Sequence, residues 1–255
     1  MAIVLAANKI VTAPGWTDPG ILYRVTRRSG WGSTAGRANA SLDLGGPMYP
    51  ISYVADYAAE GRNRLTTFFR SIVAIPWLII AYLYGIAASI AVIIVWFAMV
   101  FTGRYPDGLY NFIAGYLRMQ SRTNSYHYLL TDEFPPFGGE EAPGYPVRIG
   151  VAPPLDKYSR AKAFFRYIIG IPVIILAVVQ ALILLVVTVI AWFAILFTGK
   201  HPEGLFKPGR SAMSYLTRAT AYFLLMTEDW PPFSDDGTDT LPAGEISSEA
   251  ASRRA

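Results

Sequence analysis

Two stretches of this chain repeat one another at a fixed offset of 96 residues. Tyr49-Pro50 returns as Tyr145-Pro146, Phe68-Phe69-Arg70 as Phe164-Phe165-Arg166, and Ile75-Pro76 as Ile171-Pro172. Trp96-Phe97-Ala98 returns as Trp192-Phe193-Ala194, Phe101-Thr102-Gly103 as Phe197-Thr198-Gly199, and Pro135-Pro136-Phe137 as Pro231-Pro232-Phe233. The register holds from Tyr49 to Phe137 without a gap. A tandem duplication of this kind implies two equivalent units, and it constrains how they can sit relative to a bilayer.

Each copy contains one unbroken apolar run, residues 71–101 and 167–198. About 20 apolar residues suffice to cross a bilayer, so both runs are longer than a crossing requires. The chain is 53% hydrophobic and 16% charged, and the apolar excess lies in these runs, which favours lipid over a large soluble core. The absence of cysteine excludes disulfides, thiolate metal sites and cysteine nucleophiles. A net charge of +4 is too small to suggest nucleic acid as a partner. Ile3-Val4-Leu5-Ala6-Ala7 is too short for a signal peptide and lacks a basic segment before it.

The expected organisation is an N-terminal extension (1–47), membrane repeat 1 (48–137), a linker (138–143), membrane repeat 2 (144–233) and an acidic tail (234–255). The extension and the tail lack helical or strand periodicity and are expected to be disordered or loosely ordered. Met48 stands directly before the first repeat and is a candidate natural start.

Within a repeat, the alternation over residues 49–57 and 145–151 suits short strands able to pair with each other. A basic helical lead-in follows, then the apolar run with Pro76 or Pro172 near its start, where a kink is expected. Gly103-Arg104 and Gly199-Lys200 suit helix ends at headgroup level. The last element is an amphipathic helix over about 110–131. Phe112, Tyr116, Met119, Tyr126 and Leu130 form its apolar stripe, and Arg118, Ser121, Arg122 and Ser125 the opposite flank, as in a helix lying in the membrane interface. Pro208-Gly209 delays the counterpart in repeat 2 to about Arg210.

The fold class is therefore an all-α integral membrane protein of two tandem modules. Each holds a long kinked apolar helix, or a re-entrant helical hairpin turning near Gly85, plus the interfacial helix. A single crossing would invert one copy relative to the other. A hairpin would keep every basic flank on the cytoplasmic side.

The combination of Phe-Phe-Arg, Ile-Pro, the string Ala191 to Lys200, a Pro-acid-Gly-Leu turn and the Thr-acid-acid-aromatic-Pro-Pro-Phe ending resembles the domain-of-unknown-function 4389 family of bacterial membrane proteins. The resemblance covers 48–137 and 144–233. It implies an integral protein of the inner membrane and brings no activity, cofactor or catalytic residue.

Eight cations at matched positions, Arg64/Arg160, Arg70/Arg166, Arg104/Lys200 and Arg122/Arg218, are expected to form a collar that reads lipid phosphates, with anionic lipids as partners. The same residues would also serve as generic positive-inside anchors. The acid pairs Asp132-Glu133 and Glu228-Asp229 are the candidates for a divalent cation or acid–base work, although adjacent residues on a helix diverge and make a poor bidentate site. His127 and His201 do not correspond, and no metal-ligand spacing occurs. The apolar runs hold Tyr82, Tyr84, Ser89, Gln180 and Thr188 but no charged side chain, which argues against an autonomous transporter. Tyr84 and Gln180 share one repeat position and are expected to pack across the inter-repeat interface. The function expected is a non-enzymatic membrane-embedded scaffold, lipid-interacting element or accessory subunit of a larger complex or homo-oligomer. The alternatives are a transporter or channel component acting in an oligomer, and an enzyme on lipid substrates.

Overall fold

The computed structural model describes residues 49–233. The expectations for the extension, for Met48 and for the acidic tail lie outside the described residues. Each repeat contributes one strand and four helices. Repeat 1 holds β1 (Ile51–Ala55), α1 (Arg64–Phe68), α2 (Arg70–Val73), α3 (Ile75–Thr102) and α4 (Asp107–His127). Repeat 2 holds β2 (Val147–Val151), α5 (Arg160–Phe164), α6 (Arg166–Ile169), α7 (Ile171–Thr198) and α8 (Glu203–Phe223).

Local chemistry sets these boundaries. The Asn63 side chain accepts from the backbone N–H groups of Leu65 (3.0 Å) and Thr66 (3.1 Å) and so caps α1, and Ser159 caps α5 in the same way. The lead-in then breaks at Phe69 and Ala74, and in repeat 2 at Phe165 and Gly170. Pro76 and Pro172 stand in the first turn of α3 and α7, where a missing N–H costs nothing. The kink expected at the prolines is thus a fresh helix start just before them.

The re-entrant hairpin is overturned. α3 and α7 are each one uninterrupted helix of 28 residues, because their aliphatic sequences offer no turn chemistry. Gly85 sits inside α3, where the Tyr116 ring of α4 approaches so closely that an added Cβ would lie 3.1 Å from its hydroxyl. Both long helices end on a left-handed glycine, Gly103 (φ 71°) and Gly199 (φ 70°), a conformation that suits a residue without Cβ.

The strands pair antiparallel with Tyr53 opposite Ile149. These two residues occupy the same position in the two repeats. So do Ser121 and Thr217, whose hydroxyls meet at 3.2 Å where α4 and α8 touch. A near two-fold axis therefore passes through both pairs. Off the axis, contacts come in matched couples: Trp96 Nε1 donates to Ala163 O (3.1 Å) and Trp192 Nε1 to Thr67 O (3.0 Å). Each repeat thereby holds the lead-in helix of the other.

α4 returns antiparallel along α3, with Tyr84 Oη donating to Phe112 O at 2.9 Å. Two further expectations need correction. α8 begins at Glu203, and Pro208 lies inside it, where it forfeits a single backbone hydrogen bond. The polar flank of α4 does not face outward: Ser121, Arg122 and Ser125 are buried, whereas Phe112 is exposed. Ser125 Oγ meets Tyr53 Oη at 2.7 Å beneath the sheet, so α4 is an interior helix on that side.

Candidate lipid-facing surface and buried arginines

α3 buries a narrow stripe, Ala81, Ala88, Val92, Val95 and Met99, against the rest of the module. The opposite face is exposed and aliphatic or aromatic along its whole length, from Ile79, Leu83, Ile86 and Ile90 to Phe97 and Phe101. α7 does the same with Ile175, Leu182, Val186, Ile190, Phe193 and Phe197. At 20–33 cal/mol per Å2 of apolar surface, two such faces left in water would carry a heavy hydration penalty, and patches this large mark interaction surfaces. Both helices are long and apolar enough to cross a membrane.

The eight cations divide into two sets. Arg70, Arg122, Arg166 and Arg218 are at most 2% exposed, and Arg64, Arg104, Arg160 and Lys200 are exposed. The buried set meets protein. Arg70 donates to Tyr126 O (2.7 Å) and Thr131 O (2.6 Å), pairs with Asp132, and lies 4.5 Å from the centre of the Tyr126 ring. Arg166 donates to Thr227 O (2.6 Å) and lies 4.1 Å from the centre of the Tyr222 ring. Arg122 donates to Glu140 O at 2.7 Å, and Arg218 lies over the Tyr49 ring.

A local reason explains Arg70 and Arg166. α4 and α8 end in the same turn, with Leu129 (φ 65°) and Leu225 (φ 64°) left-handed where glycine is usual. Leu129 N donates to Tyr126 O and Leu130 N to Ser125 O, and repeat 2 repeats both bonds. That closure leaves carbonyls pointing inward at the negative end of a helix dipole, and a guanidinium with its several donors satisfies them there. Burial holds the Arg70 guanidinium below its ordinary pKa, and Asp132 pulls it back. Burial likewise lowers Arg122. No sequence pattern marked these turns, because a leucine occupies the position where glycine would have signalled one.

The exposed set lies at helix ends. The Arg64 side chain lies against Gly199 at the C-terminus of α7, and Arg160 against Gly103 at the C-terminus of α3, where a cation also complements the dipole. Arg104 and Lys200 follow those glycines directly, and Lys200 pairs with Glu60 at 2.7 Å. Two of the acids have structural partners: Asp132 takes Arg62 (3.0 Å) and Arg70, and Glu228 takes the Ser159 N–H and Lys162 (3.3 Å). Tyr84 spends its hydroxyl within its own repeat, and Gln180 is half-buried on α7. One polar link between the repeats joins Ser121 and Thr217, which sequence reasoning missed although equal repeat positions could have flagged them.

Among the described residues no group of three or more His, Asp or Glu could hold a metal ion. A cavity of about 190 Å3 lies between Arg70, His127, Tyr128, Thr188 and Trp192. Another of about 350 Å3 opens between α3 and α4, beside Tyr82, Gly85, Tyr116, Gln120 and Asn124. Burial keeps His201 below its ordinary pKa, so its ring is neutral near pH 7.

No curated protein and no solved structure matches the chain. The model of a domain of unknown function, DUF4389, matches twice, over residues 64–138 and 160–235. Those matches cover more than half of the chain, one in each structural repeat from its lead-in helix onward with β1 and β2 left out, so the chain belongs to the DUF4389 family as a tandem pair of its domain.

Proposed function

We propose that this protein is a non-enzymatic module embedded in the inner membrane, serving as a scaffold or accessory subunit that presents a rigid polar body above a lipid-held base. The observation that carries this reading is the pair of exposed apolar faces on α3 and α7, which only lipid or a lipid-buried partner would cover without cost. The exposed cations Arg64, Arg104, Arg160 and Lys200 would meet anionic headgroups on the cytoplasmic side. A transporter reading lacks support, since α3 and α7 carry no Asp, Glu, Lys, Arg or His and a charge pathway through lipid normally needs them. An enzyme reading would rest on the acid pairs Asp132-Glu133 and Glu228-Asp229, of which Asp132 and Glu228 are already engaged in ion pairs.

The test is extraction. Native membranes washed with alkaline carbonate and then with mild detergent should retain the protein through the first step and release it in the second. A folded monomer recovered in buffer without detergent would refute the reading. Release from detergent as part of a larger assembly would favour the accessory subunit, and release alone the autonomous scaffold.

A further inference from the structure

The relative depths of the apolar faces and the exposed cations, followed along the chain, constrain how the module meets a bilayer. This deepens the membrane reading above and rests on it. Suppose α3 crosses the membrane. Gly103 then lies on the far side, and so does the start of α5, because the Tyr158 N–H donates to Gly103 O at 2.8 Å. α7 must cross back, because its end at Gly199 lies against Arg64 at the start of α1. Two antiparallel crossings would put the middle of the module, on the two-fold axis, at the middle of the hydrocarbon.

That middle is charged. Arg118 lies three residues from Ser121, about 4.5 Å along the helix, and pairs with Glu141 at 3.0 Å. Arg148, next to Ile149 on the axis, pairs with Asp56 at 2.7 Å. The side chains of Glu141 and Asp56 are 53% and 55% exposed. Exposed charge is excluded from mid-bilayer.

We propose instead that the two-fold axis stands along the membrane normal and that α3 and α7 lie flat, submerged in one leaflet, with the sheet and its ion pairs on the water side. Equivalent residues then share a depth, so Arg64 is level with Arg160. The contacts with Gly199 and Gly103 bring Lys200 and Arg104 to the same level. Four exposed cations thus surround the submerged helices at one height, the arrangement that fits the phosphates of a single anionic leaflet. Helices of 28 residues, about 42 Å long, lie in the plane without the mismatch that an upright crossing of about 30 Å would impose. The duplicated basic flanks then all face the same side, as positive-inside bias requires.

Single cysteines at Asp107, Glu203 and Glu140, placed in the full chain that has none of its own, test this with a membrane-impermeant maleimide on inside-out and right-side-out vesicles. All three should react in inside-out vesicles without lysis and stay protected in right-side-out ones. Reaction of Asp107→Cys and Glu203→Cys on opposite faces, or reaction of Glu140→Cys only after detergent, would overturn the flat arrangement. A carbonate wash of the same vesicles separates the two readings. Protein that washes off sinks the membrane reading itself, and protein retained with cysteines on opposite faces sinks only the flat one.

Discussion

The two repeats close the same turn with different chemistry. In repeat 1, Asp132 accepts from both Arg62 and Arg70, and both guanidiniums also reach the carbonyls beyond α4. In repeat 2, Tyr158 stands where Arg62 would be and sends its hydroxyl to Met226 O at 3.3 Å, while Glu228 turns to Ser159 and Lys162. Arg166 keeps its carbonyl bond to Thr227 and its place over the Tyr222 ring. What the copies share is a buried guanidinium on the exit carbonyls of the returning helix. The carboxylate partner differs, so the carbonyls, rather than the acid, account for the arginine at this position.

The largest test of that contrast is truncation. Arg70→Ala leaves Asp132 with only one of its two arginines and removes two bonds to carbonyls, and should cost about 2–4 kcal/mol, as losing several charge-assisted hydrogen bonds does. Arg166→Ala strands a carbonyl without stranding an acid and should cost less, about 1–3 kcal/mol. Denaturation in detergent, followed by circular dichroism, gives both numbers, and equal losses would mean that Asp132 adds nothing.

A smaller effect should be the same in both halves. Trp96→Phe and Trp192→Phe each remove one indole hydrogen bond to the lead-in helix of the other repeat, for about 1–2 kcal/mol apiece. A difference beyond about 0.5 kcal/mol, the usual margin of additivity, would show that the two-fold relation is geometric but not energetic.

The smallest effect separates the halves by pH. Repeat 2 has buried His201 where repeat 1 has buried Tyr105, whose hydroxyl donates to Leu224 O at 3.1 Å. Burial lowers the His201 pKa in the folded state and raises that of Tyr105. A depressed imidazole contributes stability above its unfolded pKa of about 6.5, and loses it as pH falls below that value toward the folded pKa. Tyr105 does not titrate there. His201→Gln should therefore flatten the decline in stability between pH 7 and 5.5 relative to the parent, and Tyr105→His should steepen it. Parallel curves would remove His201 as the cause.

Much of this was legible beforehand for physical reasons. The duplication set the two-fold plan. Alternation located strands that do pair across repeats, and Gly103 and Gly199 marked the ends of α3 and α7. Amphipathic periodicity showed that α4 has two faces but could not say which one meets protein, so Arg122 and Ser125 read as surface residues when they are interior. The buried set of arginines was similarly opaque, because their partners are backbone carbonyls, which every residue has. Pro208 misled because a proline so early in a helix costs only one bond.

Tyr53 facing Ile149 and Ser121 facing Thr217 make the junction between the halves isologous in position though not in every residue: each half offers the positions that it receives. A surface of that kind needs no second gene to complete it. One half made alone carries both sides of most of its own contact, and two copies of repeat 1 would dock as a homodimer lacking only cross-junction pairs such as Arg148 with Asp56, because Ser52 stands where Arg148 would be.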